Sequence, residues 1–303
     1  MPELPEVETT KTSLTPLLGQ TLHQAKVFQP KLRWQMPDDL VSLIGYQLQN
    51  VERRAKYLIL TFAQDALTKK LIVHLGMSGS LQQHHHTQDK RKHDHLIMTF
   101  INAEGTPTQL HYHDPRRFGA VLWHADYSDK LFNHLGPEPL SSAFNADYLY
   151  QLIQRSEAQQ TSSHKTDTTK KPKRRPITKP IKAVIMEQQV VVGVGNIYAA
   201  ESLYLSAIHP ATAANDLTYE QIRLLVEHIK SILKKAITLG GSTLRDFTVA
   251  SGQTGYFQQT LNVYGRQGEP CPSCKDTLDN IKIGGRASVF CPTCQPKVVA
   301  HSD

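Results

Sequence analysis

The chain has 303 residues, enough for two or three domains with a well-buried core. Hydrophobic residues make up 39% and no apolar run reaches membrane-spanning length, which excludes an α-helical membrane protein. The formal net charge of +7 is local: residues 165–182 hold eight basic residues and one acid, leaving 26 positive and 26 negative side chains elsewhere, so that stretch, not the overall pI, is what points to nucleic acid.

The start, MPELPEVE, is acidic, and no basic region leads into an apolar stretch, so no secretory signal is expected. With only four cysteines, the expected compartment is the cytoplasm. Pro5 with Glu6 and Glu8 predicts the first turn of a helix, since acids favour the positive end of the helix dipole. Val7, Leu14, Leu17 and Leu18 share one face, and Gly19 is expected to end the helix. Strand-like runs follow at 21–28, 47–53, 57–62, 71–75, 95–101, 108–113 and 120–123, predicting a β-sandwich or barrel. After Gly136-Pro137 the pattern turns helical, at 146–155, 181–189, 197–205 and 218–239. In the last of these, Thr218 and Gln221 form a capping-box pair. Ile222, Leu225, Ile229, Ile232, Leu233 and Ala236 supply its apolar stripe, and Gly240-Gly241 stops it. Residues 156–176 are polar and basic with almost nothing apolar, and are expected to form a mobile loop.

The cysteines are the most specific pattern. Cys271, Cys274, Cys291 and Cys294 follow C-x2-C-x16-C-x2-C, the spacing of two knuckles around a tetrahedral zinc. Four thiolates leave no open coordination position, so the expected metal is structural. Between the knuckles, Lys282-Ile283-Gly284-Gly285-Arg286 predicts a hairpin tip presenting Arg286 to a phosphate. Gly193-Val194-Gly195-Asn196 lacks the third glycine of a dinucleotide fingerprint, whose place falls on Tyr198. It predicts instead a tight turn into a helix N-terminus able to meet a phosphate.

Asp114-Pro115-Arg116-Arg117-Phe118-Gly119 puts two arginines and an aromatic on a turn, a combination that can hold phosphates or wedge between bases. Taken singly, Met77 predicts core filler, His74 a structural histidine, and His84-His85-His86 a solvated tract. Pro2 is small enough for Met1 to be trimmed, which would expose a secondary amine. A terminal amine titrates near neutrality, at roughly 7.7–8.0, and can attack an electrophilic carbon.

Together these stretches resemble the formamidopyrimidine-DNA glycosylase family of bacterial base-excision repair. The resemblance rests on PELPEVE (2–8), RRAKYL (53–58), HLGMSGSL (74–81), KHDH (92–95), DPRRFG (114–119), LGPEPL (135–140), VVGVGNIYA (191–199), GYF (255–257), VYGRQGEPC (263–271) and the zinc hairpin, in collinear order over nearly the whole chain. It implies an α+β multidomain fold. An N-terminal helix plus β-sandwich would span 1–130, and a helix–two-turn–helix domain 131–261 with the polar insert 156–176. A zinc-finger hairpin would follow at 262–296 and a tail at 297–303. It implies one structural zinc on the four cysteines, no catalytic metal, a monomer in the bacterial cytoplasm associated with the nucleoid during repair, and duplex DNA with damaged purines as partner.

The resemblance also implies roles. Pro2 would be the nucleophile that forms a Schiff base at C1′, and Glu3 the acid/base assisting sugar-ring opening. Lys56 would be the proton donor in β-elimination, and Arg286 the finger arginine of δ-elimination. His74, Asn196, His93, Arg116, Arg117 and one or both of Lys179 and Lys182 would contact DNA. Met77, Arg116 and Phe118 would fill the gap left by the flipped nucleotide. The expected activity is removal of formamidopyrimidines and 8-oxoguanine followed by strand cleavage. An endonuclease VIII-like enzyme for oxidised pyrimidines is the alternative within the superfamily. Leu4, where that branch has Gly, and the intact DPRRFG speak against it. A non-catalytic zinc-ribbon DNA-binding protein is the other, although pure binding has no use for Pro2-Glu3. The loop facing the lesion is expected around 248–257.

Overall fold

The structure, a computed structural model, describes residues 2–155, 175–241 and 260–297. The expectations for the insert up to residue 174 and for the loop at 248–257 lie outside these residues. The chain divides into two compact units, Met1–His134 with Lys235–Thr260, and Leu135–Lys234 with Leu261–Asp303. No helix among the described residues is long and apolar enough to cross a membrane.

The first unit opens with helix α1 (Leu4–Ser13), in which Pro5 sits in the first turn and Glu6 accepts the Glu3 N–H at 2.9 Å. The helix stops earlier than Gly19. Thr9, Thr10, Thr12 and Ser13 turn their hydroxyls back onto backbone carbonyls, and Pro16, with no N–H to give, lies in a 3-10 turn over Thr15–Leu17.

Eight antiparallel strands follow: β1 (Thr21–Val27), β2 (Gln47–Arg54), β3 (Tyr57–Gln64), β4 (Leu67–His74), β5 (Ser80–His84), β6 (Asp94–Ile101), β7 (Pro107–His113) and β8 (Ala120–Trp123). Their spatial order is β5-β7-β6-β1-β2-β3-β4-β8. β1 and β2 are joined by a single register pair, Thr21 with Gln47, whereas their other neighbours pair over most of their length. The sheet therefore folds at this joint into two four-stranded halves. Phe62 on β3 and Phe100 on β6 stack at 6.4 Å across the core between them. This is the expected β-sandwich.

Among the described residues, one strand and one α-helix went unforeseen. β5 (SLQQH) is an edge strand with little apolar content, and α2 (His124–Phe132) has Leu131 as its buried residue. α2 packs against β4 and β8, where Ile72, Ala120, Leu122 and Leu131 gather with Trp34, Tyr57, Tyr127 and Phe132.

The second unit contains α3 (Ala146–Gln154), α4 (Ile181–Ile185), α5 (Asn196–Leu205) and most of α6 (Tyr219–Thr238). α3 is capped by the Asn145 side chain, which accepts the Tyr148 N–H at 2.9 Å. The capping box of α6 is present: Thr218 N–H donates to Gln221 Oε1 at 3.0 Å and Gln221 N–H to Thr218 Oγ1 at 3.2 Å. All six residues of its stripe are buried. Gly240 and Gly241 end it with positive φ, and Gly241 N–H returns to Ala236 O. α4 is shorter than the predicted 181–189, because beyond Met186 the chain turns and Val190 N–H bonds Glu187 O. Hairpin β9 (Asp279–Ile283) and β10 (Arg286–Phe290) closes the unit.

Candidate active site and nucleic-acid interface

In the first unit, α1 packs against β2 and β3, bringing the chain start to the hairpin that carries Lys56. Pro2, Glu3 and Lys56 are all buried or nearly so. Ala55 and Lys56 form the two-residue turn between Arg54 and Tyr57, and Ala55 holds φ +55°. A non-glycine residue there costs about 1 kcal/mol, so the surroundings must hold it. Arg53 does so: its Nη1 donates to Ala55 O at 3.0 Å, and its Nε donates to Glu8 Oε2 at 2.6 Å. Burial alone would raise the Glu8 carboxyl, but hydrogen bonds from Lys11 and Arg53 outweigh it and hold the group below its ordinary value. One chain of contacts thus links α1, the Lys56 turn and the segment between them. Glu6 and Arg53 were not foreseen as part of it. Gly241 also belongs here, since a Cβ on it would stand 3.2 Å from Glu6 Oε1.

His74 lies beside Tyr57, with rings 4.9 Å apart. Burial, then the Lys56 and Arg33 cations, push its pKa down to about 4, against a smaller pull from Asp114. Its Nδ1 accepts the Gly76 N–H at 3.2 Å, so a neutral ring carries its proton on Nε2 and can donate it to a phosphate oxygen.

The wedge candidates come together. Gly76, at φ +64°, lies so close to the turn that a Cβ would meet the Phe118 carbonyl carbon at 2.4 Å, so only glycine lets the two segments touch. Met77 and Phe118 are both exposed, and the Arg116 guanidinium lies 5.1 Å over the Phe118 ring. Asp114 shapes this turn. Fully buried, it accepts Ser78 Oγ–H at 2.7 Å, Gly119 N–H at 2.9 Å and Arg116 N–H at 3.3 Å. The Asp-Pro pair in the sequence was the available signal for it.

In the second unit, Gly195 precedes α5 as its N-cap, and Asn196 begins the helix. Asn196 Nδ2 donates to Ala287 O at 3.2 Å, and its Oδ1 is buried with no partner among the described residues. Lys182 is 1% exposed; its ammonium donates to the same carbonyl at 3.1 Å and to Ser288 Oγ at 2.7 Å. Lys179 is exposed and paired with Glu187 at 2.8 Å. Of the two lysines, then, Lys179 stands at the surface and Lys182 ties α4 to the finger. The hairpin turn is Gly284-Gly285, both with positive φ, and Arg286 at its end is exposed.

The four cysteine sulfurs lie within 4.8 Å of one another and form no disulfide. A zinc–sulfur distance of about 2.3 Å implies tetrahedral S–S edges of about 3.8 Å, and the pairs Cys271–Cys294 and Cys274–Cys291 stand at 3.8 and 3.4 Å. The donor set fits one structural zinc. Glu201, which sequence reading passed over, is fully buried on α5. Its carboxylate accepts Val263 and Tyr264 N–H at 2.8 Å, and Asn262 N–H and Nδ2 at 2.8 and 2.9 Å, fixing the segment that leads to Cys271.

A helix-capped β-sandwich that buries Pro2, with a helical domain and a four-cysteine finger, defines the class of zinc-finger DNA glycosylases. Family models described as the formamidopyrimidine-DNA glycosylase N-terminal domain, its H2TH domain, and the zinc finger found in FPG and IleRS match residues 1–121, 135–248 and 268–297. The chain belongs to the formamidopyrimidine-DNA glycosylase family. It is 67% identical to the formamidopyrimidine-DNA glycosylase of Psychrobacter arcticus, over 98% of this chain and 99% of that one. It is 51% identical to that of Acinetobacter baylyi, over 98% of each. A Lactococcus lactis FPG variant, solved in complex with Fapy-dG containing DNA, superposes with a TM-score of 0.81 at 35% identity, covering 98% of this chain and 100% of that one. The Thermus thermophilus FPG protein gives 0.79 at 34%, with the same coverage.

Proposed function

We infer that this chain is a base-excision-repair DNA glycosylase with abasic-site lyase activity, acting on oxidised purines in duplex DNA. The observation that carries the reading is the buried Pro2-Glu3 start, held through α1, Glu8 and Arg53 to the strained turn that presents Lys56. Once Met1 is removed, the Pro2 nitrogen attacks C1′ of the damaged nucleoside. The C1′–N bond to the base breaks, the base leaves with a proton, and an iminium joins Pro2 to the opened sugar. Glu3 serves proton transfer to the ring oxygen. The iminium acidifies C2′–H: water takes that proton, the C–H electron pair forms a C2′=C3′ double bond as the C3′–O bond breaks, and the departing 3′-phosphate receives a proton from Lys56. Arg286 assists the second elimination.

His74 and Asn196 are assigned to phosphates, as are His93, Arg117 and Lys179 at the surface. Lys182 acts through the finger it holds. Met77, Arg116 and Phe118 fill the space of the extruded nucleotide, whose unstacking costs about a few kcal/mol. Zinc, bound by the four cysteines, supplies folding energy to the finger and no step of the chemistry.

The test is borohydride trapping on a duplex with 8-oxoguanine opposite cytosine. A covalent complex through residue 2 is expected, lost in Pro2→Gly and in protein that keeps Met1. Trimmed, DNA-binding protein that yields no trapped complex would sink the enzymatic reading.

A further inference from the structure

One of the four cysteines meets a polar side chain that comes from outside the finger. Tyr204 lies in the last turn of α5 and is 8% exposed. It belongs to one buried cluster with Val263, Leu278 and Val289, around Cys271 and Cys291. Its phenol oxygen stands 3.4 Å from Cys271 Sγ, 67 positions away in the chain, and 2.7 Å from Ser273 Oγ. Cys271 is fully buried, whereas Ser273 is exposed on the knuckle between Cys271 and Cys274.

The direction of these bonds follows from the metal. A cysteine that binds zinc does so as a thiolate, with no proton to give. A phenol has a single O–H. One arrangement uses both contacts: Tyr204 donates its proton to Cys271 Sγ, and its oxygen accepts from Ser273 Oγ–H. Serine, phenol and sulfur then form a relay in which each donor polarises the next.

The end of α5 and the residues after it hold the finger at two further points. Cys291 N–H donates to Gln295 Oε1 at 3.0 Å, and the buried Gln295 donates from Nε2 to Ile208 O at 2.8 Å. The His209 and Phe290 rings meet edge to face at 4.5 Å. Both knuckles therefore rest on the 204–209 segment, Cys271 through Tyr204 and Cys291 through Gln295. The Cys294 N–H that donates to Cys291 Sγ at 3.3 Å, by contrast, comes from the finger's own turn.

We propose that Tyr204 is a positioning residue of the zinc centre: its hydroxyl, oriented by Ser273, donates to the metal-bound Cys271 sulfur and makes retention of zinc depend on α5. The proposal rests on the zinc assignment above and adds a residue outside the finger that sets the hold on the metal. Four thiolates on one dication leave the site with excess negative charge. A hydrogen bond to one sulfur spreads that charge and opposes its protonation and departure from the metal.

The experiment uses the full-length protein with zinc exchanged for cobalt(II), whose thiolate-to-metal charge-transfer band reads the sulfur directly. Tyr204→Phe keeps the ring in its packing and removes the hydroxyl. A sulfur that loses a hydrogen bond gives up an electron more easily, so the band is expected to move to longer wavelength. Affinity for zinc, measured by competition with a chelator, is expected to fall about 10–100-fold. Ser273→Ala, at an exposed position, is expected to give a smaller shift in the same direction, and none in the Tyr204→Phe background. An unmoved band in folded, cobalt-loaded Tyr204→Phe overturns the proposal even if affinity falls, because a change in packing alone does that. Equal Ser273→Ala shifts in both backgrounds overturn the relay. If Tyr204→Phe does not fold, Ser273→Ala alone carries the test, and an unmoved band there overturns the proposal. A cobalt-loaded wild-type protein with a four-thiolate spectrum beside any of these results leaves the zinc assignment standing. A wild-type protein that binds neither metal removes that assignment and the proposal with it.

Discussion

Glu201→Gln is the substitution that best tests how the finger is held. The wild-type carboxylate accepts four hydrogen bonds from Asn262, Val263 and Tyr264, two on each oxygen, all between 2.8 and 2.9 Å. Glutamine keeps one oxygen and two acceptor positions. Its NH₂ then faces two N–H donors from which it cannot accept. Hydrogen bonds to a charged group are worth about 1.5–3 kcal/mol each, and a buried donor left without an acceptor costs about 1–3 kcal/mol. Two lost bonds therefore cost about 3–6 kcal/mol, a large share of a typical stability of about 5–15 kcal/mol. The affected residues lead directly into Cys271, so the loss should appear first at the metal. Zinc release to a colorimetric chelator, followed beside denaturant unfolding, is the assay. Release should be at least tenfold faster, at a denaturant concentration that leaves the β-sandwich folded. A stability loss below about 1 kcal/mol with unchanged release would show that the four bonds are replaceable by water, and the anchoring role would be wrong.

Other outcomes follow from the same geometry. Zinc removal by a chelator, or Cys291→Ser, should unfold the 268–297 finger and abolish DNA binding. The strand signal of the first unit should persist in circular dichroism, because the metal supplies about 10 kcal/mol to the finger alone. His74 should make stability pH-dependent. Its folded pKa of about 4 lies below the ordinary 6.5, so the unfolded chain binds more protons between those values. The stabilisation is complete above about pH 6.5 and is lost as pH falls toward 4, by at most about 3 kcal/mol. Melting temperature against pH should flatten over this window in His74→Asn; parallel curves would refute it.

What the sequence made legible and what it hid differ in physical kind. α6 was readable because its signals are local: a capping pair three residues apart, a stripe at helical spacing and two glycines at the end. The hairpin turn Gly284-Gly285 and the cysteine knuckles are equally local. The site residues that escaped notice act across the fold. Arg53 matters because it bonds Glu8, which is 45 positions away, and Tyr204 because the fold brings Cys271 and Ser273 to it from 67 and 69 positions away. Nothing in the neighbouring sequence marks such pairings. Glu201 had one visible sign, a lone carboxylate in the apolar run NIYAAESLYL, where an unpaired charge would be untenable.

Lys182 shows what a charge pattern leaves out. Read along the chain, it belongs with Lys179 to the basic segment that is expected to meet phosphate. In the fold, its ammonium is spent on Ala287 O and Ser288 Oγ. Ala287 adjoins Arg286, so the lysine bears on the placement of that arginine. Two lysines three positions apart thus divide into one that faces solvent and one that fixes the hairpin. Burial, which no local composition reports, decides which is which.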